Sequence, residues 1–313
     1  MKAITVDSYG GTNQLVLKDV PDPMVADDDV LIRIKACSVN PIDWKIRSGS
    51  MRWVYPVKLP VILGFDFAGE VQSVGKNVQK LKPGDQVYGC SNKKSGGTYA
   101  ELIALKENDV SQMPTSMTFE EAASVPLSAL TALQGLRDKG ALKAKQRALI
   151  IGASGGVGMF AVQIAKGFGA HVTGVCSTPN VPFVQNLGAD EVVDYKKQDV
   201  FVDEQKYDLI YDCVAAHSYQ KAKKHLTAHG TYVTTLPSLF LVFYLFLSRF
   251  TSQKAKIIFM QANKADLDFI TKLIEDNKLK THIDSIYPIE KIAEAHQKSE
   301  THHATGKIVV SIP

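Results

Sequence analysis

The chain is short of several things. Only four of its 313 residues are cysteines (Cys37, Cys90, Cys176 and Cys213), and no two form a C-x-x-C pair. That spacing argues against a disulfide framework and a structural zinc knot. It fits a reducing compartment, for which the cytoplasm is the default expectation. No apolar run approaches the roughly 20 residues that a membrane-spanning helix needs. A net charge of +4, dispersed along the chain, gives no ground for nucleic-acid binding. Low-complexity tracts and internal repeats are missing, and so is a targeting pattern at the start. Met1-Lys2-Ala3-Ile4-Thr5-Val6 alternates and soon meets a Gly10-Gly11 turn, so it reads as a first strand. What remains, 45% hydrophobic and 22% charged, is the composition of a globular protein with room for two domains.

Two textures divide the chain. As far as about residue 122 it is rich in short alternating runs, such as Val30–Ile34, Glu70–Val74 and Gln86–Tyr88, punctuated by Gly, Pro and Asp. From about Glu120 to the 250s, strands alternate with helices. Ala148–Ile151, Val172–Cys176, Glu191–Asp194, Leu209–Asp212 and Gly230–Thr234 read as strands, with a helix over Val157–Phe168. That alternation predicts an α/β fold with a doubly wound parallel sheet. A sixth strand is expected near Lys256–Met260. The tail from about Asn263 carries two amphipathic helices and a last strand, Lys307–Ile312, expected to return to the first domain.

The most informative segment runs from Ala148 through Gly152-Ala-Ser154-Gly155-Gly156-Val157-Gly158. It follows a strand, opens a helix and begins a βαβ unit. In that setting glycines let backbone N–H groups approach a pyrophosphate at the helix amino terminus, which points to a dinucleotide rather than a simple turn. The second strand then bears on which dinucleotide. An NAD site places a carboxylate about 20 residues past the glycines to hold the ribose hydroxyls. Here the strand ends in Cys176-Ser177-Thr178-Pro179-Asn180, and no acid lies between Met159 and Ala189. Hydroxyls and an amide can donate to a phosphate, and Tyr195 and Lys196 follow the next strand. NADPH is therefore expected over NADH.

The same glycines satisfy G-x-x-x-G-x-G, and Tyr219-x-x-x-Lys223 offers the tyrosine–lysine pair of short-chain dehydrogenases. In that family the glycine loop opens the chain and the pair lies much farther downstream. Tyr219 reads instead as the start of a lysine-rich surface helix.

A β-rich domain followed by a G-x-x-G-x-x-G Rossmann domain resembles the medium-chain dehydrogenase/reductase superfamily along essentially the whole chain. Four segments are similar to its quinone oxidoreductase (ζ-crystallin-like) branch: Asn40-Pro-Ile-Asp43-Trp-Lys45, Pro60 to Gly69 through Gly64-Phe65-Asp66, Lys82-Pro-Gly-Asp85-Gln-Val-Tyr88-Gly89, and Ala123-Ser-Val-Pro126 to Thr131. The resemblance implies a discontinuous GroES-like catalytic domain, residues 1–122 and 263–313. A Rossmann NADPH-binding domain, residues 123–262, would lie between its two pieces.

Zinc alcohol dehydrogenases of the superfamily carry a cysteine ligand where this chain has Asn40, and a histidine ligand where it has Phe65. Neither substitute replaces a thiolate or an imidazole, so no catalytic zinc is expected. Simple alcohol oxidation, which needs a Lewis acid, is disfavoured with it. Quinones and α,β-unsaturated carbonyls are the expected small-molecule substrates, because added hydride gives a stabilised anion. The resemblance implies that Asn40, Thr131, Gly152, Ser154, Gly155, Gly156 and Val157 contact NADPH. Ser177, Asn180 and Tyr195 would surround the 2′-phosphate, and Lys307 would approach the cofactor, against an alternative as a solvated strand-end lysine. Tyr55 is a candidate proton donor, with water as the alternative. Asp43 and Lys45 would orient substrate or pair with each other, and Phe65 would be both core and site wall.

Leu239 to Leu247 is a run of nine apolar or aromatic residues. It reads as buried packing or a subunit interface, as a lid, or as a peripheral membrane foot. A homodimer is expected through the last sheet strand. The competing class is an NADPH-binding redox sensor or structural, crystallin-like protein without turnover.

Overall fold

A computed structural model describes residues 1–201, 204–236, 244 and 247–313. The chain forms two compact units. One comprises Met1–Leu127, Gln261–Asn277 and Thr281–Pro313; the other comprises Ser128–Met260 and Lys278–Lys280.

The first unit begins with β1 (Lys2–Val6), β2 (Val16–Asp19), β3 (Asp29–Val39), α1 (Pro41–Arg47) and β4 (Val61–Ile62). It continues through β5 (Asp66–Val74), β6 (Gln86–Cys90), β7 (Leu102–Lys106), β8 (Val110–Gln112) and α2 (Phe119–Ala123). β3 is its spine. Val30, Ile32, Ile34 and Ala36 alternate inward and are fully buried, as period-2 patterning requires. Beyond them Cys37 and Ser38 are both buried, so this end of β3 is covered on both faces. α2 opens on a capping box, with Thr118 and Glu121 satisfying each other's backbone N–H groups.

After α3 (Pro126–Gln134), the second unit runs β9 (Arg147–Ile151), α4 (Gly156–Gly167), β10 (His171–Cys176), α5 (Val181–Asn186) and β11 (Glu191–Asp194). β12 (Tyr207–Asp212), α6 (Tyr219–Lys223), β13 (Leu226–Thr234) and β14 (Lys254–Ile257) complete it. The six strands are parallel in the order β11-β10-β9-β12-β13-β14, the doubly wound order whose direction reverses at β9. α4 packs through Met159, Phe160, Val162 and Ile164. Tyr219 is not at the surface: it is 5% exposed, in a core with Leu149, Ile210 and Tyr232, and its helix is only five residues long. Of the apolar run, residues 239–243, 245 and 246 lie outside the described residues. Tyr244 packs against that same core.

The chain returns to the first unit with α7 (Lys264–Glu275), β15 (Ile283–Pro288), α8 (Ile292–Glu300) and β16 (Lys307–Ser311). β16 pairs antiparallel with β3, setting Ile308 opposite Val39, and extends the sheet to the order β15-β16-β3-β5-β6-β8. That pairing carries Lys307 to the end of β3, where Asn40 begins the next turn. The last parallel strand, expected near Lys256–Met260, lies two residues earlier.

Candidate functional site

Each unit holds one cluster of the expected residues. In the first, the end of β3, the start of β5 and the start of β16 converge on Asn40, Asp66 and Lys307. Asn40 is 1% exposed, Asp66 0% and Lys307 3%. The Asp66 carboxylate accepts from Ser38 Oγ at 2.6 Å, Asn40 Nδ2 at 2.9 Å and the Leu127 backbone N–H at 2.6 Å, with Lys307 Nζ at 3.3 Å. The Lys307 ammonium also donates to Asn40 Oδ1. An ammonium only donates and a carboxylate only accepts, so the Asn40 amide has one orientation: oxygen to Lys307, nitrogen to Asp66. Lys307 is therefore not a solvated strand-end lysine. Among the described residues its ion pair is with Asp66.

Asp43, one turn into α1, is fully buried and accepts the Asn40 backbone N–H at 2.7 Å. It does not pair with Lys45, whose ammonium lies over the Trp44 ring. Burial pushes the Asp43 carboxyl up to about 7, against the Asn40 N–H and the nearby Tyr99 hydroxyl, which pull it down. Behind it runs a chain of groups, buried as far as Arg47 and ending at the exposed Glu300. Arg47 donates to His296 Nδ1 at 3.3 Å and to Glu300 at 2.6 Å, while His296 Nε2 meets Tyr99 Oη at 3.2 Å. Because arginine only donates, His296 accepts at Nδ1 and carries its proton on Nε2, which leaves the Tyr99 O–H directed toward Asp43. Burial, with the Arg47 charge beside it, holds His296 neutral by lowering it to about 3.

Phe65, 6% exposed, is a core residue with its neighbours Leu63 and Phe67. Tyr55 lies half-buried in the turns after α1, under the Lys94 ammonium, and burial raises its phenol.

In the second unit the glycine loop is built as the sequence implies. Gly152 has φ +80°, a conformation that favours glycine. A Cβ on Gly158 would stand 2.0 Å from the Gly152 carbonyl oxygen, so this glycine lets α4 close onto the loop. Gly155 is different. Its φ of −82° suits any residue, and a Cβ there would meet only the Gly152 oxygen, at 3.4 Å. The protein's own packing does not demand glycine at 155. Gly155 also gives α4 no side-chain cap, so the first-turn N–H groups lack partners inside the helix. An open cradle of N–H groups at a helix amino terminus fits a dinucleotide pyrophosphate.

Ser154, Ser177 and Asn180 come together beside it. Asn180 Nδ2 donates to Ser154 Oγ at 3.1 Å and to Ser177 Oγ at 3.4 Å. Tyr195 follows β11, 46% exposed, its N–H bonded to the Cys176 carbonyl and its ring under Lys196. Thr131 is buried in α3, its carbonyl accepting from Tyr211 Oη at 2.8 Å.

Five residues of these clusters were not expected from the sequence. Asp66 was legible as an acid inside an apolar strand run, Phe65 to Ala68. Tyr99, His296 and Arg47 gave no comparable signal. Asp194 was missed because parallel pairing sets it level with Cys176, although 18 residues separate them. Its carboxylate accepts from Thr178 Oγ1 at 2.7 Å and the Lys196 N–H at 3.0 Å, and these bonds hold it below the usual carboxylate range.

Comparison with known proteins places the chain in a family. Residues 26–115 match the family described as alcohol dehydrogenase GroES-like domain, and residues 187–310 match the one described as zinc-binding dehydrogenase. The chain is 36% identical over 322 residues to the chloroplast envelope quinone oxidoreductase homolog of Arabidopsis thaliana, covering 99% of this chain and 98% of that one. It is 33% identical over 353 residues to the mitochondrial NAD(P)H oxidoreductase RTN4IP1 of Bos taurus, covering 100% and 89%. A solved structure of the quinone oxidoreductase from Coxiella burnetii matches with a TM-score of 0.91 and 31% identity, over 100% of this chain and 99% of that one. Among the described residues no three His, Cys, Asp or Glu side chains are grouped to hold a metal.

Proposed function

The chain belongs to the medium-chain dehydrogenase/reductase superfamily, in its zinc-free quinone oxidoreductase branch, and from that premise we propose that it reduces quinones or α,β-unsaturated carbonyls with hydride from NADPH. The coarser part needs no proposal: it is an oxidoreductase that uses a nicotinamide cofactor.

The preference for NADPH rests on one observation, the joined Ser154, Ser177 and Asn180 side chains where an NAD site would put an acid. Two hydroxyls and an amide donate to a phosphate without repelling it. Gly152, Gly155, Gly156 and Val157 supply the pyrophosphate cradle, and we assign Tyr195 to the phosphate rim.

When bound, the nicotinamide supplies the hydride. The residues here position and protonate. Asn40, fixed by Lys307 and Asp66, keeps a second amide hydrogen that no group among the described residues accepts, and we assign it to an oxygen of cofactor or substrate. Tyr55, whose phenol is protonated at neutral pH and is raised further by burial, is the assigned proton donor. Asp43 becomes a positioning group for Asn40. Lys45 and Phe65 keep their assignment to the substrate side, and Thr131 to the cofactor. We also propose a homodimer through the outer edge of β14, which pairs with a strand on one side only among the described residues; light scattering tests it.

Dissociation constants for NADPH and NADH, followed by absorbance assays on a panel of quinones and enones, test the proposal. Tighter NADPH binding with turnover of either class is expected. Tighter NADH binding overturns the cofactor assignment, and tight NADPH binding with no turnover overturns the enzymatic one in favour of a sensor or structural protein.

A further inference from the structure

The turns after α1, which hold Tyr55, also carry an outward surface that the proposed reaction does not use. Successive backbone bonds from Arg52 to Gly49 and from Val54 and Tyr55 to Met51 wind residues 49–55 into a compact tip. The tip is tied down at its far side by the Tyr9 hydroxyl, which donates to the Val57 carbonyl at 3.2 Å. This well-tied tip presents its apolar side chains outward. Trp53 is 85% exposed and Val54 72%.

The charges on its own two segments have one sign. Between Asp43 and Asp66 the sequence holds no acid, and none occurs between Asp85 and Glu101. Arg52, Lys58, Lys93 and Lys94 are all exposed, and none makes an ion pair among the described residues. Arg52 lies over the Trp53 ring at 5.1 Å and Lys94 over the Tyr55 ring at 5.7 Å, so cations and aromatics share one patch. Two acids lie toward its edge: Asp109 is bonded by Asn92, and Asp29, which acts electrostatically on Lys93, is paired with Lys106.

We propose that this tip is a docking surface for an anionic lipid bilayer. Trp53 and Val54 would enter the headgroup layer, while Arg52, Lys58, Lys93 and Lys94 meet lipid phosphates. Indole rings favour that interfacial depth, and free cations around an exposed apolar pair match a negatively charged membrane face. Four exposed cations without an ion pair among the described residues complement a sheet of anions better than a neutral partner surface. A bilayer is also where apolar quinones concentrate, though the docking proposal does not depend on the substrate.

The test is sedimentation of the full chain with vesicles of phosphatidylcholine alone or mixed with phosphatidylglycerol, at low and high salt. Binding to the anionic vesicles only, weakened by salt and accompanied by a blue shift of tryptophan emission, is expected. Lys58→Gln with Lys94→Gln should weaken it about five-fold per charge removed. Trp53→Ser with Val54→Ser should weaken it roughly ten-fold or more and abolish the blue shift. Both sites are exposed, so thermal melting should be unchanged. Absence of binding at low salt overturns the proposal, as does equal binding by the Trp53/Val54 variant. Displacement by millimolar glycerol phosphate would instead make the patch a small-anion site and overturn it too.

Discussion

Replacing Lys307 by Met tests whether the Asn40–Asp66–Lys307 cluster is a charge-balanced unit. Lys307 and Asp66 are 3% and 0% exposed and stand 3.3 Å apart. Removing one partner of a buried pair leaves the other charge uncompensated, at a cost of about 3–5 kcal/mol. Asp66 keeps three donors, Ser38, Asn40 and the Leu127 N–H. These hold the expected loss near the lower end, about 3 kcal/mol. In a unit of this size that corresponds to a midpoint lower by roughly 6–12 °C. Asp66→Asn with Lys307→Met removes both charges and should recover much of the loss, so the double variant will be more stable than the sum of the singles predicts. Denaturant unfolding of the four proteins at one pH gives the coupling directly. A loss below about 1 kcal/mol for Lys307→Met, or strict additivity, would refute the cluster as a unit. Because Lys307 also holds the Asn40 oxygen, Lys307→Met should reduce kcat as well.

Asp43 predicts a pH effect. Its folded value of about 7 lies above the ordinary carboxylate value, so the folded state binds this proton more tightly than the unfolded chain. That contribution is fully present below about pH 4 and is lost as pH rises through 7. Asp43→Asn should therefore gain stability relative to the parent as pH is raised from 4 to 8; urea midpoints across that range check it, and a constant difference would count against it. His296, lowered to about 3, works in reverse, its contribution being present above about pH 6.5 and lost on acidification, so His296→Gln should lose acid sensitivity in the same titration. At Gly155 an alanine has room and an ordinary φ, so Gly155→Ala should melt like the parent yet bind NADPH about ten-fold or more weakly by fluorescence titration; Gly158→Ala, facing a 2.0 Å clash, should lose stability instead. Ser177→Ala with Asn180→Ala should weaken NADPH binding roughly a hundred-fold or more and leave NADH unchanged, each of the two lost charge-assisted hydrogen bonds being worth about 1.5 kcal/mol or more.

Much of this protein was legible in local pattern. The strand–helix alternation from Ala148 to Asp212, the glycine loop and the missing acid after Cys176 are all matters of neighbouring residues, where backbone sterics and periodicity act directly. Resemblance carried Asn40 and Phe65, whose residue types alone remove two zinc ligands. Errors arose where partners come from far along the chain. Lys307 reads as a strand-end lysine until β16 is laid beside β3, and Tyr219 reads as a surface residue until Leu149 and Tyr232 close around it.

Sequence alone therefore determined the chemistry on offer: a dinucleotide cradle, no thiolate or imidazole at the metal positions, and hydroxyl and amide groups in place of an acid after the second strand. Tertiary structure decided which charges survive burial and in what state. Lys307 and Asp66, 241 residues apart, are buried only as a pair. Asp43 is pushed to about 7 and His296 to about 3 because the sheet and α8 exclude water from them. Desolvation depends on everything packed around a group, and no local pattern of residues encodes that.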